Sequence, residues 1–378
     1  MIGVDGQYLL RFTIGDQDDF VEEEDLILFK IIEESSNTLP TFEASFAIHD
    51  DELLPYLNEG NELKVSIGAD KNDLADVTLV ITKSKFTRSG ESARVITISG
   101  LYSALEYISS PKVSISDKKS GIEVINDIVS PYFTFDSNIT KSEDSQNWVQ
   151  TGINDKLFVD ELSLHSYVSD SFIAVAISAD GTFIVRDMKK MLNEDYKWRF
   201  GSDVEDPDRD IAISGDLPYE SEVGFMNMWA GYQREMKLVD LEKGTESMAT
   251  EEISPFLALS SKLMRNASVG KKTFEHNIIC ENVDPNYWNA YLRNLGHLAV
   301  FSGIQATVSF QGVFKDIKAL DLVMLRDDAP DSSQNQSSDT LSGLWVVSKV
   351  VRTVQSKQFW TILEICRESL NMPEGNLA

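Results

Sequence analysis

The sequence predicts a mainly β protein with α+β inserts, and three observations carry that reading. In several segments of residues 8–99 and again of 304–365, apolar side chains recur at every second position, the period that lines one face of a sheet. Turn-forming clusters, Asn58-Glu-Gly-Asn61, Gly68-Ala-Asp70 and Ser89-Gly-Glu91, punctuate the first of these stretches. Between them lies a segment whose apolar spacing switches to the helical period. At roughly 100–200 residues per domain, a chain of this length makes about two to four domains.

The N-terminal strands are expected at Tyr8–Ile14, Leu26–Ile32, Thr41–Ile48, Glu62–Ile67, Val77–Lys83 and Ala93–Ser99. Within them Leu63, Val65 and Ile67 alternate, as do Val77, Leu79 and Ile81. Many short strands joined by turns make a barrel or a sandwich. Residues 1–105 are read as the first β domain.

Residues 106–200 read as a small mixed α/β insert. Ser120-Gly-Ile-Glu123 is a capping box: the serine oxygen accepts from a free helix NH while the glutamate reaches back. Ile122, Ile125, Ile128 and Val129 follow at helical spacing, and Pro131 ends the helix. A second helix is expected from about Asp155 to Tyr167. A hairpin should follow, with strands Phe172–Ile177 and Thr182–Val185 around Ala179-Asp-Gly181.

Residues 201–260 form a linking, extended segment that partly returns to the β domains, acidic at Gly201-Ser-Asp-Val-Glu-Asp-Pro-Asp-Arg-Asp210. Residues 261–378 hold a helix and a second β region. Pro285 should open the helix at a favoured early position, with Trp288, Tyr291, Leu292, Leu295 and Leu298 lining one face. Strands follow in which Ile304, Ala306, Val308 and Phe310 alternate, then Leu344, Val346, Ser348 and Val350, then Phe359, Thr361, Leu363 and Ile365. The polar loop at 327–343, centred on Asp327–Asp339, buries too little to fold and reads as mobile. The tail from Asn371 reads as frayed or as an attachment point.

The charge is strongly one-sided: 61 acidic against 34 basic residues, net −27. Such a field repels phosphate, which argues against stable nucleic-acid or anionic-membrane binding. Solubility is the plainer reading of the same excess. The two cysteines, Cys280 and Cys366, form no metal or redox motif and fit a reducing compartment, Cys366 as a strand residue. The start of the chain has no basic-then-apolar leader pattern, and no run of about 18 apolar residues occurs. Synthesis and folding in the cytoplasm are therefore expected.

No catalytic constellation stands out. GxSxG, HExxH and GxGxxG are absent, and Gly270-Lys-Lys272 lacks the upstream glycine of a P-loop. His49, His165, His276 and His297 are widely spaced and read as packing or surface residues. Asp203, Glu205, Asp206, Asp208 and Asp210 could suggest calcium. They lack the glycine and closing glutamate of a calcium loop, so a solvated loop is favoured. Trp229 and Tyr232 read as core, with an interface patch as the alternative. No catalytic, cofactor-binding or metal residue is assigned.

The order and spacing of elements resemble the central hub of contractile-tail phage baseplates, of the T-even type, and the hub part of VgrG spikes. The segments carrying the resemblance are Asn37–Phe46, Gly60–Gly68 and Val95–Ala104, then the helices and hairpin of the insert. Gln305–Ser309, Ile317–Met324, Leu344–Val351 and Gln358–Glu364 complete it. The resemblance implies two barrel-like tube domains per chain and a trimeric ring that is pseudo-sixfold. It further implies a virion structural protein, not an enzyme, that joins a trimeric spike to a hexameric tail tube. The implied partners are the chain itself as a homotrimer, spike, tail tube or tube initiator, baseplate wedge and tape measure, with DNA only in passage and no cofactor. A tail-associated cell-wall hydrolase and a carbohydrate-binding adhesin are the alternative readings.

Overall fold

A computed structural model describes residues 8–15, 17–18, 20–48, 51–68, 74–89, 93–202, 204–213, 217–220, 233–240, 244–252, 272–278, 284–312, 316–326, 341–355 and 357–370. The first seven strands are β1 (Leu9–Ile14), β2 (Gln17–Asp18), β3 (Leu26–Glu34), β4 (Thr41–Ile48), β5 (Glu62–Gly68), β6 (Leu74–Ser89) and β7 (Ala93–Tyr102). They pair in the order β3-β4-β7-β6-β5-β1-β2. The alternation seen in the sequence does what it predicts: Leu63, Val65 and Ile67 of β5 face inward and their neighbours outward. Phe12, Phe29 and Phe46 meet in the core beneath, Phe12 and Phe29 edge to face at 5.7 Å. β6 runs well past the expected Val77–Lys83 in both directions, and its far half pairs with β7 alone.

The middle of the chain holds α1 (Leu105–Ser109), β8 (Pro111–Ser120), α2 (Gly121–Val129), β9 (Thr134–Ser137) and β10 (Ser145–Asn154). Then come α3 (Asp155–His165), β11 (Ile173–Ile177), β12 (Thr182–Asp187) and α4 (Met188–Met191). The capping box forms as read. Ser120 Oγ accepts from Glu123 N, and the Glu123 carboxylate accepts from Ser120 N at 2.9 Å. α2 stops at Val129, just before Pro131. α3 ends at His165 rather than Tyr167, because Ser166 is extended and its NH closes back on Leu162. β11 and β12 make the expected hairpin, with β9 added in parallel to β12. The β8–β10 ribbon was not read from the sequence.

The segment read as a linker contributes short strands: β13 (Trp198–Gly201), β14 (Asp210–Ala212) and β15 (Tyr219–Glu220). It also supplies the hairpin β16 (Gln233–Asp240) and β17 (Thr245–Glu252), to which β18 (Lys272–Ile278) adds in parallel. α5 (Tyr287–Phe301) follows, then β19 (Ile304–Gln311), β20 (Leu322–Leu325), β21 (Gly343–Gln355) and β22 (Gln358–Arg367). Two expectations for α5 need correction. Pro285 lies in the turn before the helix, outside its first position. The most buried face is Tyr287, Ala290, Asn294, His297 and Phe301, with Leu292, while Leu298 is exposed. Asn294 earns its place in the core by hydrogen bonding. Its amide donates to the carbonyls of Leu164 and Ser166 at 2.8 Å, and its oxygen accepts from Ile173 N at 3.0 Å.

β3 pairs antiparallel with β21 from Glu34↔Lys349 to Leu28↔Gln355. That pairing joins the N-terminal strands to β13, β14, β20, β21, β22, β19 and β15 in one 14-stranded sheet. Among the described residues its path is open, from β14 at one end to β2 at the other. A second apolar core lies under β19–β22, around Phe200, Phe310 and Trp345. A third fills the insert around Tyr107, Phe158 and Phe183. The polar tract 327–340, the tail from Asn371, Trp229, Tyr232, Cys280 and His49 lie outside the described residues, as does the side chain of His276.

Candidate functional site

Where the insert and the two parts of the large sheet meet, charge is buried. On β3 the alternation Phe29, Ile31, Glu33 points inward, so Glu33 takes the next core position after two apolar residues. On β21 Arg352 lies opposite Ile31, diagonal to Glu33 on the same face. The two form an ion pair, with Glu33 only 1% and Arg352 4% exposed. Arg352 also donates to the carbonyl of Ile317 at 2.5 Å. Burial pushes the Glu33 carboxyl above its ordinary value, and Arg352 opposes that shift.

The tip of the β11–β12 hairpin closes the joint from the insert side. Ala179 packs into the N-terminal core. Asp180 accepts from Thr182 N at 3.2 Å and from Ser178 Oγ, which ties the turn to itself. Lys318, from the segment before β20, reaches Asp180 at 2.6 Å and donates to Thr182 Oγ1 at 3.0 Å. Burial alone would raise the Asp180 carboxyl; the bonds from Lys318, Ser178 and Thr182 instead hold it below its ordinary value. Gly181 turns with φ +78°, and a Cβ there would stand 2.2 Å from the Tyr102 hydroxyl. The hairpin therefore seats against the end of β7 only because that residue is glycine. A cavity of about 20 Å³, room for one water, remains between Glu33, Asp180, Lys318 and Arg352.

This arrangement is a mechanical joint. Its charged groups pair across the junction, Glu33 with Arg352 and Asp180 with Lys318. Sequence reading missed it, since the strands were ended at Ile32 and Val351, just short of both charged residues. The signal available was the period-two run Phe29, Ile31, Glu33 on β3; on β21 a bulge between Val347 and Lys349 interrupts the register before Arg352.

The residues weighed from the sequence do not converge on one place. His165 stacks on Tyr287 at 3.5 Å, and its Nδ1 donates to that residue's carbonyl at 3.0 Å. His297 stacks on Phe172, and burial pushes its imidazole down to about 4. Both are packing residues. Cys366 is buried in β22, where burial raises its thiol to about 12, far from a reactive thiolate. Of the acidic run, Glu205, Asp206 and Asp208 are exposed as a solvated loop would have them, and Asp210 is the exception. Asp210 is buried against Arg199, and Glu205 bridges Arg199 at 3.1 Å and Arg326 at 2.9 Å. The Arg199 hydrogen bond holds the Asp210 carboxyl down at about 2. Asp203 lies outside the described residues. Among the described residues no group of three or more potential ligands could hold a metal, and no helix is long and apolar enough to cross a membrane.

No family model matches the chain, and no curated protein matches it. Solved structures do. The 43 kDa tail protein of prophage MuSo2 from Shewanella oneidensis superposes with TM-score 0.61 at 10% identity, over 97% of this chain and 100% of its own. A tail protein from Neisseria meningitidis gives 0.60 at 11% identity, over 96% and 97%. A type VI secretion component of Escherichia coli, described as structurally similar to the T4 tail proteins gp27 and gp5, gives 0.52 at 11% identity, over 96% and 79%. The chain therefore has the fold of phage tail proteins and their type VI secretion counterparts, which is the resemblance read from the sequence.

Proposed function

We propose that this chain is the structural hub of a phage tail baseplate, adapting a trimeric spike to a hexameric tail tube and lining part of the DNA channel. The observation that carries the reading is the end-to-end match to two tail proteins, which leaves no large segment of either partner over. The fused sheet gives the reading a physical basis. The strands of 1–105 lie over one apolar core, to which Val354 and Phe359 contribute, and those of 304–367 over a second shared with Trp198, Phe200 and Ile211, and β3–β21 pairing with the buried joint ties the two together. Three chains would then present six such barrel-like units in a closed ring, a surface that meets sixfold symmetry on one side and threefold on the other. Residues 106–200 would form an insert at the edge of that ring, while β13, β14 and β15 return to the large sheet. The net charge of −27 suits a channel that DNA must pass without sticking.

On this reading the chain is made in the host cytoplasm, resides in the virion tail and catalyses nothing. It contacts itself, spike, tube or tube initiator, wedge proteins and the tape measure. Light scattering coupled to size exclusion tests it first. A mass near three times 42.4 kDa, with ring-shaped particles by negative-stain microscopy, is expected. A chain that stays monomeric alone and with its spike partner, or one that cleaves peptidoglycan, would overturn it.

A further inference from the structure

The β8–β10 ribbon carries the most exposed large apolar side chains among the described residues. Val113 is 81% and Ile115 72% exposed, and Val149 is 47% exposed. They form one patch, because Ile115 lies directly opposite Val149 and Val113 opposite Thr151 on the same face. The ribbon is not a loose flap. Its other face is anchored by buried Gln146, Trp148 and Gln150. Trp148 Nε1 donates to the Lys119 carbonyl at 3.1 Å, and the Gln150 amide donates to Asp155 at 3.0 Å. A rigid, solvent-facing β-branched patch is a surface built to be covered.

We infer that this face docks onto a second copy of the chain, on the acidic turn Glu22–Asp25 and the adjoining Ile27; the inference rests on the trimeric reading above. Charge selects both patches. Copies that each carry −27 repel one another, so contact is cheapest where acid is sparse on one side. β8 holds Lys112, Lys118 and Lys119 against Asp117 alone, and β10 holds no charged residue. Lys112 and Lys119 are tied to Asp155 and Asp127 at 2.6 and 2.5 Å, which leaves Lys118 exposed beside the patch. The complement must offer carboxylates next to apolar surface. Glu22, Glu23 and Glu24 are all exposed on a turn fixed by Asp25 N to Glu22 O at 3.0 Å, and Ile27 beside it is 50% exposed. Two different patches joined head to tail make the heterologous contact that closes a ring of three, whereas ribbon on ribbon would stop at a pair.

The test uses the full chain. V113K/I115K, and separately V149K on the partner strand, are compared with wild type by light scattering across a concentration series. Circular dichroism and melting temperature check that each variant folds. Wild type at three times the chain mass, with both variants weakened roughly 30-fold or more, is the expected result. A trimeric wild type with equally trimeric variants would overturn the ribbon contact and leave the trimer standing. A wild type that stays at 42.4 kDa throughout would overturn both. The pairing with the acidic turn has its own readout. K118E should weaken association roughly fivefold, and adding E23K should restore it; failure to restore would remove that turn as the acceptor.

Discussion

The β3–β21 joint and the β8–β10 ribbon invert each other. The joint buries a glutamate and an arginine in a sheet interior, while the ribbon holds valine and isoleucine in water. Both are antiparallel strand pairs, so strand pairing alone does not separate them. What differs is the number of layers. The joint is covered by the hairpin tip at Ala179 and by the segment carrying Lys318, so whatever β3 and β21 point inward must be satisfied within the protein. The ribbon has only two strands, covered on one face, and its other face meets solvent in the single chain. The comparison teaches that a residue's environment follows from what is stacked on its strand.

The strongest way to break this contrast is at the joint. Arg352→Met should leave Glu33 buried without its counter-ion and cost about 3–5 kcal/mol in denaturant unfolding. Glu33→Leu together with Arg352→Met should recover most of that loss, and a double variant as unstable as the single would show that the ion pair is not the source.

Asp144, which immediately precedes β10, sets the second test. It is buried, it accepts from Gly121 N at 2.8 Å, and burial pushes its carboxyl up to about 6. Because the folded value lies above the unfolded one, its contribution is fully present below about pH 4 and is lost as pH rises through about 6. The loss should be on the order of 3 kcal/mol, and it should vanish from the pH profile of Asp144→Asn.

Gly181→Ala should cost about 1–3 kcal/mol, because it combines a positive φ with the Tyr102 hydroxyl. Tyr102→Phe, which removes the atom 2.2 Å from the new Cβ, should relieve part of it in a double-mutant cycle. At the ribbon's own end, Ser120→Ala should cost about 1 kcal/mol by removing half of the capping box. Smallest of all, Val113→Thr with Ile115→Thr should change the stability of the single chain by no more than about 0.5 kcal/mol, as measured on dilute protein. A large loss there would mean that the ribbon's outer face is covered within one chain.

Legibility followed the same division. β4, β5, β19 and β22 were readable because one buried face forces strict alternation, and α2 because its cap is a local motif. The core face of α5 was misread, since Asn294 and His297 look polar in a sequence. Their burial depends on carbonyls of Leu164 and Ser166 and on the ring of Phe172, more than a hundred residues away. The ribbon escaped notice because β10, Ser145–Asn154, is mostly polar, and its buried Gln146 and Gln150 are held by hydrogen bonds.

By itself, then, the sequence determined the β character, the helix start at Ser120, the hairpin around Gly181 and a strong net acidity. These are local or additive properties, fixed by neighbours within a few residues or by a simple sum of charge. Tertiary structure alone decided that β3 meets β21 across more than three hundred residues, that Glu33 and Arg352 share one buried site, and that Val113 and Ile115 face out. Those outcomes depend on which surfaces stack, and stacking is set by the combined shape and burial of distant segments, which no local window contains.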